Sequence, residues 1–387
     1  MAGNNLTVRK KYDDFSIVTS FGNLYNAHLS CRKGKLWKDS VAHYELTDLE
    51  YTVFLQRQLK NKSYKVSAYH CFQISERGKT REIKSTRYRD RVVQKVMHDD
   101  IYEPYIFPKL VYENGASQLG KGTKFQLDLL KKHLQEEVSK HGTDSFILIG
   151  DFHNYFGSLP HDVLHNIYCK YFSDPALLDL IDAIHDSIPG NRGVPLGNQQ
   201  SQTDALLAIN SIDHIVKEQL HIRGYGRYQD DFYLIHHDRS YLEHCLSVIQ
   251  REVDDLGLEL NSKKTKIVSI RQGIDFLGFH VYVTKTGKVV VRIKTETKKR
   301  ERNKIKAQRR LVDAGEMTFA AAKESYQCWR SHASWGDTFY MLQAMDLYFL
   351  ETYKSYLSPE EKKFLRKLKA KADARMQKRR QKCQRNY

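Results

Sequence analysis

The chain has 387 residues, of which 41% are hydrophobic and 28% charged, and its formal charge is +17. No apolar run approaches the length of a membrane span, and residues 1–9 lack the apolar segment of a secretory signal. We therefore expect a cytoplasmic protein with no membrane partner, long enough for two or three domains. The six cysteines form no CxxC pair, which argues against a zinc cluster or a disulfide framework.

Most of the positive charge lies in the C-terminal third. Residues 285–310 contain 12 Lys or Arg against Glu296 and Glu301, a net of +10, and residues 358–387 contain 12 against three acids, a net of +9. One such run is usually a solvated helix face. Two runs with so few acids favour contacts with a polyanion such as a nucleic-acid backbone.

Three carboxylates stand out in the middle of the chain. Residues 145–151 form a short apolar run that ends in Asp151, and residues 226–235 contain Tyr228-Gln229-Asp230-Asp231. Both runs suit strands, and the acid pair predicts a hairpin with the acids at its bend. An isolated acid pair usually lies in a solvated turn. If the two strands pair, however, the three carboxylates meet at one sheet edge and can bind two hard cations.

Further elements follow Asp151 in chain order. Pro160 suits the start of a helix whose apolar face runs to Phe172. The amide-rich loop 192–202 offers N–H groups to a ligand, or is simply a capped loop. We then predict a helix with Leu206 to Leu220 on one face, the acid-bearing hairpin, a helix over 242–256, and strands over 258–267 and 274–281. This order predicts an α+β fold, a small antiparallel sheet backed by helices, similar to a split βαβ sandwich.

Eight segments occur in the order and at the spacing of one enzyme family. They are residues 79–83, 88–94 and 116–123, Asp151 with Phe156, residues 197–202, the 228–231 box, residues 261–266 and residues 275–279. Over roughly residues 50–282 they resemble successive motifs of the reverse transcriptases. The resemblance implies a right-hand polymerase with fingers, a palm and a helical thumb. The expected boundaries are an N-terminal extension at 1–48, fingers at 49–144, palm at 145–282, thumb at 283–357 and basic tail at 358–387.

The same resemblance assigns roles to individual residues. Asp151, Asp230 and Asp231 would be catalytic and would hold two Mg²⁺ ions, for which Mn²⁺ could substitute, together with the backbone of Phe152. The residues expected at the incoming deoxynucleoside triphosphate (dNTP) are Lys79, Arg81, Phe156, Leu196, Gly197 and Gln202. The residues expected at primer and template are Tyr228, Lys266, Gly278, Arg292, Lys294 and Trp329. The alternatives are a solvated hairpin for Lys79 and Arg81 and core packing for Phe156, while structural packing is the preferred interpretation for His332.

The amide loop points to a lineage. Intron-encoded and retron enzymes usually carry Pro-Gln-Gly followed by Ser-Pro, whereas this chain has Leu196 in place of the glutamine and Ser201-Gln202. This pattern resembles the reverse transcriptases of diversity-generating retroelements and related defence-associated enzymes. The resemblance implies low-fidelity copying of a dedicated non-coding RNA into cDNA, with an accessory four-helix-bundle protein. Two alternatives are an antiphage reverse transcriptase that copies its own structured RNA and a non-catalytic RNA-binding scaffold. An RNA-dependent RNA polymerase is disfavoured by Phe156 and the 228–231 box.

Overall fold

The computed structural model describes residues 11–76 and 79–384. The chain divides into two compact units. The first comprises the chain up to Glu137 together with Ser145–Val268, and the second comprises Val138–Asp144 together with the chain from Ser269 onward. Each unit has its own hydrophobic core.

The first unit begins with helices and a two-stranded hairpin. Its elements are α1 (Ser16–Thr19), α2 (Phe21–Arg32), α3 (Asp39–Glu45), α4 (Asp48–Lys60), β1 (His70–Glu76), β2 (Lys79–Ser85), α5 (Tyr88–Val96) and α6 (Thr123–His141). Between α5 and α6 lie a π-helix, Met97–Ile106, and a 3₁₀ turn, Phe107–Lys109. Pro104 sits inside the π-helix. Because proline has no backbone N–H, the regular α-helical hydrogen-bond pattern cannot continue through it.

A four-stranded sheet in the order β4-β5-β3-β6 forms the rest of the first unit. Its strands are β3 (Phe146–Asp151), β4 (Gly224–Tyr228), β5 (Asp231–His236) and β6 (Lys266–Ser269). The accompanying helices are α7 (Tyr155–Ser158), α8 (His161–Tyr171), α9 (Pro175–His185), α10 (Gln199–Leu207), α11 (Asn210–His214) and α12 (Arg239–Asp255), with a π-helix at Ile215–Gln219. Leu148 and Leu234 of the sheet share one buried cluster with Leu164, Ile249 and Val253 of the helices. The predicted helix-backed antiparallel sheet and the predicted hairpin at Asp230 are confirmed.

Two expectations for this unit were wrong in detail. The single helix predicted across Leu206 to Leu220 is broken, because Ile209 leaves the helical region at φ −117° and ψ 16°. The strand predicted over 258–267 is mostly a turn, and only Lys266–Ser269 is strand. Asn261 makes that turn, since its side chain accepts from the N–H of Lys263 at 3.2 Å.

The second unit joins a small sheet to long helices. Its strands, in the order β7-β8-β9, are β7 (Ile274–Phe276), β8 (Phe279–Val283) and β9 (Val289–Ile293). Its helices are α13 (Thr295–Asp313), α14 (Phe319–Ala333), α15 (Phe339–Thr352) and α16 (Pro359–Gln384), with a 3₁₀ turn at Lys354–Tyr356. The strand predicted over 274–281 is a hairpin instead, because Leu277 and Gly278 turn the chain at φ 48° and 90°. Within the described ranges, no helix combines the length and the apolar character that crossing a bilayer requires.

Candidate active site

Two strand ends bring three carboxylates together. β3 ends at Asp151, β5 begins at Asp231, and the antiparallel register places these two residues directly opposite each other. Asp230 is the adjoining residue of the turn between β4 and β5. Residues directly opposite in an antiparallel pair have Cβ atoms about 5 Å apart. The structure therefore gathers the three predicted metal ligands at one edge of the sheet.

Burial and mutual repulsion oppose the negative charge of this cluster. Burial, the charges of Asp230 and Asp151, and a hydrogen bond with Asp151 raise the pKa of Asp231 to about 7. Burial, reinforced by the charge of Asp151, also raises the pKa of Asp230. A cation bound at the cluster would favour the ionised form of both carboxyl groups. Their oxygen donors fit a hard divalent metal ion.

A lysine already supplies positive charge to the cluster. Lys264 Nζ lies 2.7 Å from Asp151 Oδ2, and Asn261 Nδ2 donates to the same oxygen at 3.1 Å. Burial lowers the pKa of Lys264, but the hydrogen bond to Asp151 and the nearby carboxylate charges outweigh it and raise the pKa overall. The ammonium shows that this carboxylate set accepts a cation. Lys264 was not predicted as a site residue from the sequence, whereas the exposed Lys266 at the start of β6 was, although both belong to the segment 261–266.

The turn that carries Asp230 is tied to other predicted site residues. Gln229 adopts φ 56°, which the first position of a tight hairpin turn requires. Its side-chain amide donates to Ser117 Oγ and to Gln202 Oε1, both at 2.9 Å. Ser117 Oγ also donates to Gln202 Oε1 at 3.1 Å. Gln202, predicted at the nucleotide, is therefore held beside the turn that carries Asp230.

Tyr228 and Arg227 anchor the other side of the turn. Tyr228 is half-buried, packs against the helical core and accepts a hydrogen bond from Thr123 Oγ1 at 3.4 Å. Arg227 is buried and forms an ion pair with Asp213, and neither residue was predicted as a site residue from the sequence. A charged residue next to a strand end gives no sequence signal of burial, because Arg and Asp are ordinarily exposed.

The amide loop contacts the β1–β2 hairpin. The carbonyl oxygen of Leu196 accepts from the backbone N–H of Lys84 at 3.1 Å. Gly197 adopts φ 107°, and a Cβ at this position would lie 3.3 Å from Ile83 Cγ2. Asn198 caps α10, because its side chain accepts from the N–H of Gln200 at 3.0 Å. The loop is therefore both a helix cap and a link to the strand that bears Arg81.

The remaining residues predicted at the nucleotide and the metal lie in the same unit. Phe156 is half-buried, and its carbonyl accepts from the N–H of Val194 at 2.7 Å, which joins it to the amide loop. Phe152 is only 3% exposed and packs on Phe232. Arg81 is exposed on β2, where it pairs with Ile74. Lys79 begins β2, and its side chain lies outside the described part of the structure.

Four predicted primer or template residues belong to the second unit. Gly278 lies at the β7–β8 turn, and Lys294 Nζ pairs with Asp275 at 2.7 Å. Arg292 is exposed on β9 and lies over the ring of Tyr282. Trp329 is half-buried and stacks on Tyr326 in the core between α14 and α15.

His332 also lies in the second unit. Its ring packs against Phe279 at 4.9 Å and against Trp335 at 4.8 Å between ring centroids. This environment agrees with the structural packing expected from the sequence.

Two other clusters in the first unit have metal-ligand chemistry. His28, Glu45 and Asp48 form one, and His98, Asp99 and Glu103 form the other. A basic side chain pairs with an acid in each, Arg32 with Glu45 and Lys95 with Asp99, as Lys264 does with Asp151. The Asp151 cluster differs in offering carboxylates alone, the donors that hard divalent ions prefer, so it is the better candidate for a functional metal centre.

Comparison with known proteins identifies the class. Residues 60–281 match the family described as "Reverse transcriptase (RNA-dependent DNA polymerase)". The match covers more than half of the chain, so the protein belongs to the reverse transcriptase family. It has the mixed helical and sheet fold of a right-hand polymerase, and its family consists of nucleotidyltransferases that use divalent metal ions.

Solved structures give more distant similarities. A telomerase from Candida albicans in complex with the TWJ fragment of telomeric RNA is 14% identical, with a TM-score of 0.47, over 76% of this chain and 56% of that chain. An apo telomerase from Candida tropicalis is 12% identical, with a TM-score of 0.43, over 60% of this chain and 49% of that chain. The chain thus spans about half the length of the telomerase chains that it matches. No curated protein matches it.

Proposed function

We propose that this protein is an RNA-directed DNA polymerase that copies an RNA template into cDNA at the Asp151, Asp230 and Asp231 cluster. The observation that carries the proposal is the register that sets Asp151 opposite Asp231, with Asp230 beside them. Asp151, Asp230, Asp231 and the backbone of Phe152 would hold two Mg²⁺ ions, or Mn²⁺ in their place. When bound, such ions activate the primer 3′-hydroxyl and neutralise charge on the triphosphate.

The protein's own residues bind and orient the substrates. Lys79 and Arg81 on β2 neutralise the dNTP phosphates, for which a guanidinium is suited to bidentate contact. Phe156 limits space at the sugar 2′ position. Leu196, Gly197 and Gln202 line the nucleotide site, a role supported by the Gln202 contact with the catalytic turn.

The nucleic-acid strands would meet a second group of residues. Tyr228 and Lys266 would contact the primer and template from the first unit. Gly278, Arg292, Lys294 and Trp329 would do so from the second. The net charge of +10 over residues 285–310 supports this role, because cationic surfaces attract the phosphate backbone.

We further propose that the template is a dedicated non-coding RNA and that the enzyme serves a diversity-generating retroelement with low fidelity, assisted by a four-helix-bundle protein. The support is the loop sequence with Leu196 in place of glutamine. The unpaired state of the described cysteines supports a reducing, cytoplasmic setting. The second candidate is an antiphage enzyme that copies its own structured RNA. The neighbouring genes separate these two candidates, because a retroelement of this kind is expected to lie near a variable target gene that contains a near-repeat of the template.

The test is to sequence the nucleic acid that copurifies with the wild type and with an Asp230→Asn, Asp231→Asn variant. We expect RNA with both proteins and cDNA with the wild type alone. Asp162→Asn, an exposed acid on α8, is the matched control and should retain cDNA. If neither the wild type nor the control extends a primer with Mg²⁺ or Mn²⁺ while both bind RNA tightly, the protein is a scaffold.

Fidelity has its own test. Leu196→Gln should change the error spectrum of the cDNA, most of all opposite template adenines. An unchanged spectrum would exclude Leu196 as the cause of low fidelity.

A further inference from the structure

A histidine and two carboxylates from three successive helices of the first unit face one another. His28 lies on α2, Glu45 ends α3 and Asp48 begins α4. His28 Nε2 lies 3.1 Å from Glu45 Oε2 and 3.9 Å from Asp48 Oδ2, and the three atoms lie within 4.8 Å of one another. Donor atoms that bind one zinc ion tetrahedrally, at about 2.1 Å each, are about 3.4 Å apart. The cluster therefore has the dimensions of a site for a single ion.

The hydroxyl of Tyr88 determines which nitrogen of His28 carries the proton. It donates to the backbone carbonyl of His28 at 3.3 Å, and His28 Nδ1 lies 3.0 Å from the same hydroxyl oxygen. Because the hydroxyl has a single proton, which goes to the carbonyl, its oxygen accepts from the N–H at Nδ1. In the neutral imidazole Nε2 then has a lone pair, and the two carboxylate oxygens are its neighbours.

Two buried atoms of this cluster lie close together without a hydrogen bond. His28 is 0% exposed, and neither its Nε2 nor Glu45 Oε2 makes a hydrogen bond within the described part of the chain, although the two atoms are 3.1 Å apart. Burial and the charge of Arg32 lower the pKa of His28 against the opposing charge of Asp48, which favours the neutral ring. A lone pair and a carboxylate oxygen at this distance repel each other unless a cation lies between them. The contact therefore indicates a cation that both atoms bind.

Neighbouring side chains orient the two carboxylates. Arg32 pairs with Oε1 of Glu45, which leaves Oε2 on the side of His28. The hydroxyl of Tyr25 donates to Asp48 Oδ2 at 3.1 Å. Such outer partners ordinarily hold the ligands of a metal ion in place. The cluster thus has the supporting contacts of a metal site as well as its ligands.

The donor set indicates which ion the cluster binds. An imidazole nitrogen combined with carboxylate oxygens suits zinc, whereas oxygen donors alone suit magnesium. The side chains of Glu45 and Asp48 are 28% and 23% exposed, so an ion reaches the cluster from the side of the carboxylates. Water on that side completes a coordination shell of four.

We propose that His28 Nε2, Glu45 Oε2 and Asp48 Oδ2 bind one Zn²⁺ ion, which joins α2, α3 and α4. The ion is a structural metal, separate from the ions proposed at the active site. The proposal does not depend on polymerase activity, so either proposal can fail without the other.

The first test measures zinc binding by the full chain without an affinity tag. The Asp230→Asn, Asp231→Asn variant serves as the background, because it lacks two carboxylates of the active site and so removes zinc binding there. Elemental analysis after gel filtration gives the zinc content, and competition with a coloured chelator gives the affinity. We expect one zinc ion per chain in this background.

The second step removes two of the ligands. Adding Glu45→Gln and Asp48→Asn to the background should lower the zinc affinity more than about 100-fold, because losing an outer partner alone costs about 10–100-fold. Asp39→Asn with Glu50→Gln is the matched control, since these acids are exposed on the same two helices and the charge changes equally. If the ligand variant binds zinc as tightly as the control, the proposal is wrong and the cluster is an ordinary ion pair of His28 with Glu45.

A milder variant tests the tautomer of His28. Tyr88→Phe keeps the ring but removes the hydroxyl that accepts from Nδ1, so the zinc affinity should fall about 10–100-fold. Tyr44→Phe is its control, because the ring of Tyr44 stacks on the imidazole at 4.8 Å while its hydroxyl lies 3.2 Å from Thr52 Oγ1. Equal zinc affinities of these two variants would contradict the assignment of Nε2 as a ligand.

Two further measurements separate a structural ion from one bound elsewhere. Zn²⁺ should raise the melting temperature of the background protein and of the Asp39→Asn, Glu50→Gln control, but not that of the Glu45→Gln, Asp48→Asn variant. X-ray absorption at the zinc edge should show nitrogen and oxygen ligands only. Sulfur ligands would place the ion at a cysteine and overturn the proposal, as would equal shifts of the melting temperature in all three proteins.

Discussion

The guanidinium of Arg227 and the carboxylate of Asp213 form an ion pair with 1% and 0% side-chain exposure, and Arg227 is hydrogen-bonded directly to the turn that carries Asp230. Arg227 Nε donates to Asp213 Oδ1 at 2.7 Å, and Tyr225 Oη donates to the same oxygen at 2.5 Å. The two Nη atoms of Arg227 reach the carbonyls of Gln229 at 3.1 Å and Leu206 at 3.0 Å. One side chain therefore fixes the turn residue before Asp230 and the end of α10.

Removing one partner of this pair should lower the free energy of unfolding. Asp213→Asn leaves a buried guanidinium without its counter-charge, which costs about 3–5 kcal/mol. Urea unfolding of the purified variant measures the loss. The double variant Asp213→Leu, Arg227→Met removes both charges, so we expect it to be more stable than Asp213→Asn. A double variant that is no more stable than Asp213→Asn would contradict the cost assigned to the unpaired guanidinium.

The same pair should also affect catalysis, because Arg227 positions the turn that carries Asp230. Arg227→Lys keeps the charge but has one ammonium group in place of the three nitrogens that make these contacts. We expect a lower kcat with little change in the KM for dNTP, because the turn at Asp230 is displaced while the nucleotide site persists. A purely structural role would leave kcat unchanged in the fraction that remains folded.

Lys264 should compete with divalent metal for Asp151. In Lys264→Met the carboxylates lose their resident cation, so we expect a lower melting temperature without metal and half-maximal stabilisation at lower Mg²⁺ concentration. Thermal unfolding across a Mg²⁺ titration measures both quantities, and Lys263→Met on the same turn is the control. Identical Mg²⁺ responses of the wild type and Lys264→Met would contradict the competition.

The lowered pKa of the buried His133 predicts that the stability of the protein depends on pH. Burial, reinforced by the charge of Lys217, lowers its pKa to about 4, while Glu113 and Glu136 act in the opposite direction. Its Nδ1 lies 3.1 Å from the hydroxyl of Tyr233. Because the folded state binds the proton less readily than the unfolded state, the stability associated with neutral His133 is present above about pH 6.5 and falls as the pH approaches 4.

The variant His133→Gln isolates this contribution. The difference between wild type and variant in the free energy of unfolding should change by about 3 kcal/mol between pH 7 and pH 4, if the full pKa difference is expressed. Urea unfolding at a series of pH values gives the difference curve. A flat curve would mean that His133 titrates alike in both states.

Gly197 should be intolerant of a side chain. Gly197→Ala places a Cβ at φ 107° and 3.3 Å from Ile83 Cγ2, so we expect about 1–3 kcal/mol of strain in the loop. Because the loop borders the proposed nucleotide site, the KM for dNTP should rise. Gly34→Ala also has positive φ but open space around its Cβ, and it is the control for the backbone effect alone. Equal KM values for the two variants would show that a side chain at position 197 does not affect nucleotide binding.

The sequence predicts the carboxylate cluster because its signals are local. Asp151 ends one short apolar run and Asp231 lies at the start of another, so the sequence predicts two strands whose carboxylates meet at one edge if the strands pair. Lys264 was missed because the segment 258–267, which has apolar residues at both ends, was predicted to be a strand, whereas Asn261 bends the chain there. Arg227 was missed because its burial depends on Asp213, which comes from a helix that the sequence predicted to be continuous. Contacts made by distant polar residues depend on tertiary packing, for which a single sequence has no periodic signal.

The hydrogen bond from the backbone N–H of Lys84 to the carbonyl of Leu196 couples the movement of two segments. It links the strand that bears Arg81 to the loop proposed to contact the nucleotide. A shift of the β1–β2 hairpin upon closing on a triphosphate would pull Leu196 with it. Under the proposed function, the contacts of Arg81 with the phosphates and of Leu196 with the nucleotide would then change in one movement. A substitution that alters either contact should therefore change both the rate and the fidelity of synthesis.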